Sequence, residues 1–383
     1  MKKRWVSLLT VPLAAACYGS YLLVQPTSAS GTTEFLIHPQ AKPQPLKSTQ
    51  FKLRRGAIGY FDPNTNTPVC RNIGDPKTEL TPEATASLAK TITVQVVLAH
   101  KPLVAGQEGP TITLTNADVD RYSSAVRNGG SRVQIVAGEQ LTERQMIQGI
   151  MLRSANNLAD SLVIWAFGSH AAYQQAATAW LKQHNINHTT VGLDASGFDP
   201  STTSTPEDLC KIILFAANHP ALRDILANPT ANLPVVGQIH TTNKLLGQHD
   251  VFAGKTGFNN EAGHGVILAR QLQLDDVTLT GAAVALSQGN YTAAFDVAGQ
   301  LLDTLPQDIR ALHIRQGELA GRINDTAGSH AVVTSQALTM PYFADQPPQL
   351  ITNRNFHPVR PLSSQAVVGQ LKVNQSQIDL LVQ

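Results

Sequence analysis

After His249 the chain turns to short apolar runs, Val251 to Thr256, Gly263 to Arg270 and Val277 to Ala285, with turn signals between them. Successive runs of this kind read as a meander of antiparallel strands. An earlier hairpin is written into Gly56-Ala57-Ile58-Gly59-Tyr60-Phe61, the turn Asp62 to Asn66, and Thr67-Pro68-Val69-Cys70. Helical segments lie between the hairpin and the meander, so the chain leaves the sheet and returns to it. That order predicts an α+β fold, an antiparallel sheet with helices on its faces and an inserted helical subdomain.

The inserted helices carry their own start signals. Thr142-Glu143-Arg144-Gln145 is a capping box ahead of Met146, Ile147, Ile150 and Met151, whose spacing marks an amphipathic helix ending near Ser154. A second helix is expected from about Leu158 to Phe167, stopped by Gly168, and a third from His170 to His184. Thr205-Pro206-Glu207-Asp208 opens another, and Ala293 to Leu305 reads as the last. Between Asn116 and Gly138 the polar sequence suggests loops and short helical turns. From about Asp308 the helical signal fades. Ala331 to Thr334, Ala366 to Val373 and Ile378 to Val382 then point to a small β-rich C-terminal domain, dividing the folded chain into 51–307 and 308–383.

The first thirty residues have the pattern of an export signal: Lys2, Lys3 and Arg4, an uncharged run from Trp5 to Val24, and small residues at Thr27-Ser28-Ala29. That run is long enough to serve instead as a single membrane anchor, which needs about 20 apolar residues. Either way the rest of the chain is expected outside the cytoplasm, secreted or tethered through residues 31–50, a proline-rich linker. Any membrane contact is expected through the N-terminal segment alone. The formal charge of +2 falls close to neutral once the basic leader is removed, and no basic stripe suggests a nucleic-acid partner. A single bridge between Cys70 and Cys210 is permitted by the sequence but cannot be deduced from it. His184 and His188 lack the glutamate of a zinc motif, and neither a metal nor a cofactor is expected.

Chemistry is concentrated in Ser87 and Lys90. If Thr85 to Thr91 is helical, residues three apart share a face and the lysine amine reaches the serine hydroxyl. Local propensity argues for a strand instead, since Thr91-Ile92-Thr93-Val94-Gln95-Val96-Val97 alternates and is rich in β-branched residues. A helix is nonetheless expected, because a strand would point the pair to opposite faces and a buried helix can be apolar all round. Serine needs an adjacent base to act as a nucleophile. Lys90 could serve if burial and a nearby cation, Lys255, lower its pKa.

Ser154-Ala155-Asn156 and Lys255-Thr256-Gly257 follow in the order and rough spacing of the motifs shared by penicillin-binding proteins and class A β-lactamases. Ser154 could relay a proton to the leaving amine, and Asn156 could hold Lys90 and the substrate amide. Lys255 and Thr256 suit a carboxylate. Gly257 would let a peptide lie along the strand edge, and the backbone N–H groups of Ser87 and Phe258 would form an oxyanion hole.

The likeness extends beyond these motifs. Gly149 to Asn157, Gly192-Leu193-Asp194-Ala195-Ser196-Gly197-Phe198-Asp199, and Asn243 to Leu246 ahead of Gly254 to Phe258 resemble the D-alanyl-D-alanine carboxypeptidase family of low-molecular-weight penicillin-binding proteins. The resemblance covers about residues 55 to 305, and the tail is similar, less specifically, to the family's β-rich C-terminal domain. It implies an acyl-enzyme on Ser87, with Lys90 as its base and Ser154, Asn156, Lys255 and Thr256 completing the site. The implied substrate is a peptidoglycan stem peptide ending in D-Ala-D-Ala, and β-lactams would be acylating inhibitors.

Two departures stand out. Asn157 occupies a position where the family usually has Asp. Where the family commonly has an arginine before the last helix, this chain reads Gln288-Gly289-Asn290-Tyr291, with Arg270 a candidate substitute. A class A-like β-lactamase is disfavoured because the segment from Asn157 to Pro206 has no glutamate to activate water, and Glu207 suits a helix start. A DD-endopeptidase or transpeptidase would use the same residues. A non-catalytic wall-binding module would not need all three motifs intact. Asp160, Asp194 and Asp199 fit turn chemistry better than an acidic catalytic pair.

Overall fold

The computed structural model describes residues 51, 53–75, 78, 80–325, 328–353, 364–374 and 376–383. The expected leader and the whole of the linker, 31–50, lie outside them. Among the described residues, no helix is long and apolar enough to cross a membrane.

The hairpin and the meander join in one five-stranded antiparallel sheet. Its order is Thr67–Asn72, Arg55–Asp62, Val277–Gln288, Gly263–Leu274 and Val251–Asn259. The strand bearing Lys255 is therefore an edge. Side chains alternate between the faces: Ala57, Ile267, Ala282 and Val284 enter one core, Ile58, Leu268, Ala283 and Ala285 the other. Both faces are covered. Helix Tyr291–Asp308 packs its Ala294, Ala298, Leu301 and Leu305 on one side, and Pro206–Asn218 lies against the other. Cys70 and Cys210 form a disulfide, tying the outer strand of the hairpin to that second helix.

Ser87 sits in a 3-10 turn, Ala86–Leu88, that runs into the helix Ala89–His100. The β-branched segment is thus helical, as the chemistry requires. Residues Ala89 to Leu98 are all buried, so tertiary packing overrides strand propensity. Its polar residues are satisfied inside: Thr93 donates to the Ala195 carbonyl at 2.7 Å and pairs with the Tyr173 hydroxyl at 2.8 Å. Gln95 donates to the carbonyls of Thr91 and Ile212.

Helix Glu143–Met151 begins at the Thr142/Gln145 capping box, and Asn156–Phe167 follows after a tight link, starting earlier than its apolar pattern suggested. Residues Asn116–Arg127, expected as loops and short turns, are a twelve-residue helix. It buries only Asp118 and Ala125, which leaves little apolar periodicity to detect, though Thr115 and Asp118 form a capping box.

Two compact units are present among the described residues: 51, 53–75, 78 and 80–313 with 339–347, and 314–325, 328–338, 348–353, 364–374 and 376–383. The chain thus returns to the first unit over 339–347 after leaving it. The second contains a five-stranded antiparallel sheet, ordered Leu319–Asp325, Gly328–Thr334, Ser376–Val382, Val367–Val373 and Leu350–Asn353.

Candidate active site

The Lys90 ammonium donates to the Ser87 hydroxyl at 2.7 Å and to the Ser196 carbonyl at 2.9 Å. Lys90 is fully buried and Ser87 half-buried. Burial lowers the Lys90 pKa to about 7, against the opposing pull of the Asp194 and Asp160 carboxylates. Lys255 is also buried, and its pKa is pushed well down, first by burial and then by the charge of Lys90. Burial therefore does most of the work expected of a neighbouring cation. Both amines are buried, and the charge of Lys90 disfavours charge on Lys255.

The second motif reaches the site through a strained link. Ser154 has φ of +62°, a left-handed conformation, and its hydroxyl accepts from Lys255 at 2.8 Å. Lys255 also donates to the Thr256 carbonyl at 2.8 Å. Asn156 was expected to hold Lys90, but its buried Oδ1 has no hydrogen-bond partner. The Ser196 carbonyl takes that place, because Asp194 ties its turn together: the carboxylate accepts from the N–H groups of Ser196, Gly197 and Asp199.

A Cβ at Gly257 would meet Leu88 at 2.9 Å and the Thr85 carbonyl at 3.0 Å, so its bare backbone is also needed against the nucleophile turn. Glycine lets the edge strand close onto Ser87. Gly197 does the same from the other side, where φ is +69° and a Cβ would meet the Ala86 carbonyl at 2.1 Å. Ala86 itself has φ of +46°, a costly conformation held by its surroundings.

These elements enclose a cleft of about 910 Å³ lined by Ser87, Ser154, Asn156, Thr256 and Phe258. Phe258 (47% exposed) and Phe198 (44%) give it apolar patches. Phe258 stacks on His264 at 4.2 Å, and His264 meets Tyr291 edge-on at 4.7 Å. Arg270 plays no part in this cleft, because its guanidinium pairs with Asp250 and donates to the Leu302 carbonyl. Asn157 bonds both ways with the backbone of Val133, accepting from its N–H at 3.1 Å and donating to its carbonyl at 3.0 Å. An aspartate could not make the second bond. Glu207 is occupied by Lys211 at 2.8 Å. His184 stacks on Trp180, and no metal-holding cluster occurs among the described residues.

A serine, two buried amines and an open strand edge around one cleft suit acyl transfer from a peptide. Residues 74–302 match a family described as D-alanyl-D-alanine carboxypeptidase. The chain belongs to that family. It is a serine hydrolase of the DD-peptidase type.

Relatives of this D-alanyl-D-alanine carboxypeptidase family member include a D-alanyl-D-alanine carboxypeptidase of Streptomyces sp. (strain K15). It is 28% identical over 206 residues, covering 49% of this chain and 68% of that protein. A D-alanyl-D-alanine endopeptidase of Pseudomonas aeruginosa is 28% identical over 216 residues, covering 54% of this chain and 64% of that protein. In fold, the chain is similar to penicillin binding protein 5 from Haemophilus influenzae. The TM-score is 0.63 at 14% identity, over 90% of this chain and 98% of that one.

Thr242 and Tyr291 also line the cleft, and sequence reasoning singled out neither as a functional residue. Thr242 precedes the quoted Asn243 to Leu246 stretch, and Tyr291 ends the segment where an arginine was sought.

Proposed function

We propose that the protein is a D-alanyl-D-alanine carboxypeptidase that removes the terminal D-alanine from peptidoglycan stem peptides. The 2.7 Å contact between Lys90 Nζ and Ser87 Oγ is the observation that carries this reading. A pKa of about 7 leaves a large neutral fraction of Lys90 near neutral pH. Along the same line the neutral amine accepts the hydroxyl proton.

Ser87 Oγ then bonds to the carbonyl carbon of the penultimate residue, and the oxyanion is received by the N–H groups of Ser87 and Phe258. The C–N bond breaks as the proton taken up by Lys90 is relayed through Ser154, which Lys255 orients, to the departing D-alanine amine, leaving Lys90 neutral. Lys90 then takes a proton from water as the hydroxide attacks the ester carbon, and returns it to Ser87 Oγ as the acyl C–O bond breaks. The unpartnered Asn156 Oδ1, in the cleft wall, would accept the substrate amide N–H. Thr256 would face the terminal carboxylate with Lys255 behind it, and the peptide would lie along the free edge of Val251–Asn259.

Glu207 is engaged in an ion pair at its helix start, which supports a peptidase over a class A-like β-lactamase. The Cys70–Cys210 disulfide supports a location outside the cytoplasm, secreted or tethered by the N-terminal segment. Incubation with a pentapeptide ending in D-Ala-D-Ala tests the reading. One D-alanine is released per peptide by the wild type and none by Ser87→Ala. No release from a protein that still binds penicillin would favour an endopeptidase or transpeptidase.

A further inference from the structure

The proposed reaction needs a receptor for the carboxylate that ends the peptide. Arg270 is engaged elsewhere, and no arginine lines the cleft among the described residues. Gln288 is buried and donates to the Leu286 carbonyl. Lys255 lies behind the wall with its amine held by Ser154 and Thr256.

In front of Lys255 stand three hydroxyls. Thr256 donates to Thr242 at 2.9 Å, and the Tyr291 phenol belongs to the same cleft wall. All three residues line the cleft with Ser87. They come from separate elements that are each fixed. The Thr242 N–H donates to the Leu152 carbonyl at 3.0 Å, just ahead of Ser154. Tyr291 opens its helix beside the Asn290 cap, and its ring is braced by His264.

We infer that Thr242 and Tyr291 are specificity residues which, with Thr256, receive the terminal carboxylate through neutral hydroxyl donors where a guanidinium would otherwise serve. This rests on the peptidase reading above. A hydroxyl rotates, so the Thr256 and Thr242 groups that now serve one another can turn toward an anion, as can the Tyr291 phenol. A carboxylate has about four acceptor positions, enough for three such donors. Neutral donors reward the shape and lone pairs of the carboxylate more than its charge, unlike the charged fork of an arginine.

The test reacts the full-length protein with a penicillin and with the methyl ester of the same penicillin, following acylation of Ser87 by mass. Thr242→Val and Tyr291→Phe should each slow the free acid about tenfold while changing the ester by less than about twofold, as loss of one hydrogen bond to a charged acceptor implies. The acid-to-ester ratio therefore falls in both. Thr242→Ser keeps the hydroxyl and keeps the ratio. A wild-type ratio in both variants, or equal slowing of acid and ester, overturns the proposal. Failure of wild-type Ser87 to take either compound overturns the peptidase reading itself, and the wild-type control separates the two failures.

Discussion

Lys90 is anchored by Ser196, 106 positions further along the chain, whose carbonyl accepts from the amine at 2.9 Å. The residue expected in that role, Asn156, leaves its buried Oδ1 unpartnered in the cleft wall. Lys90 is thus aligned by a turn that Asp194 organises rather than by Asn156.

Acylation should follow the neutral fraction of Lys90. Its pKa of about 7 is lowered by burial, so below that value the rate of penicillin binding falls about tenfold per pH unit and above it levels off. Stopped-flow acylation between pH 5.5 and 9 checks this, at concentrations where chemistry limits the rate. A profile flat through pH 7 would remove Lys90 as the base.

The Asp194 turn should be intolerant of any side chain at Gly197. Gly197→Ala places a Cβ in a left-handed residue and against the Ala86 carbonyl, next to the nucleophile. The expected result is a destabilisation of about 2 kcal/mol or more with acylation slowed at least tenfold. Thermal melting and acylation rates measured on the same preparation report both effects.

Asn157→Asp should cost about 1–3 kcal/mol, because a buried carboxylate would face the Val133 carbonyl that the amide now serves. Denaturant unfolding at pH 7 measures it. Asn157 is therefore fitted to this chain's Val133 loop, which explains the departure from the family's usual Asp.

The sheet, its order of construction and the three motifs were legible because alternating apolar runs and capping residues act locally. The Ser87 helix was legible only through chemistry: its Thr-Ile-Thr-Val sequence favours a strand until burial on every side decides otherwise. The Ser196 anchor, Thr242 and Tyr291 were not legible as site residues. Each is a common residue whose role depends on which distant segment it meets, and nothing local marks the meeting. The Asn116–Arg127 helix escaped notice because an exposed helix has almost no apolar face to betray it.

Glu143 lies away from the cleft, fully buried with neither carboxylate oxygen bonded, and burial raises its pKa from 4.5 to about 7. The folded protein then keeps a proton that the unfolded chain has already released. Stability should fall as pH rises from about 4.5 to about 7, by a total of order 3 kcal/mol, and not change further above that from this group. Glu143→Gln should flatten that part of the pH–stability curve. Melting temperatures at pH 5 and pH 8 for both proteins give the comparison, and parallel curves would exclude Glu143 as the cause.

The most direct test of the account is the rate at which penicillin becomes attached to the peptide carrying Ser87, read by mass spectrometry in wild type, Ser87→Ala and Lys90→Ala, with folding checked by melting. The account predicts an adduct on Ser87 in wild type, none in Ser87→Ala, and attachment slowed at least about a hundredfold in a folded Lys90→Ala protein, as loss of a general base implies. Attachment at the wild-type rate in Lys90→Ala, or an adduct on another residue, would contradict it.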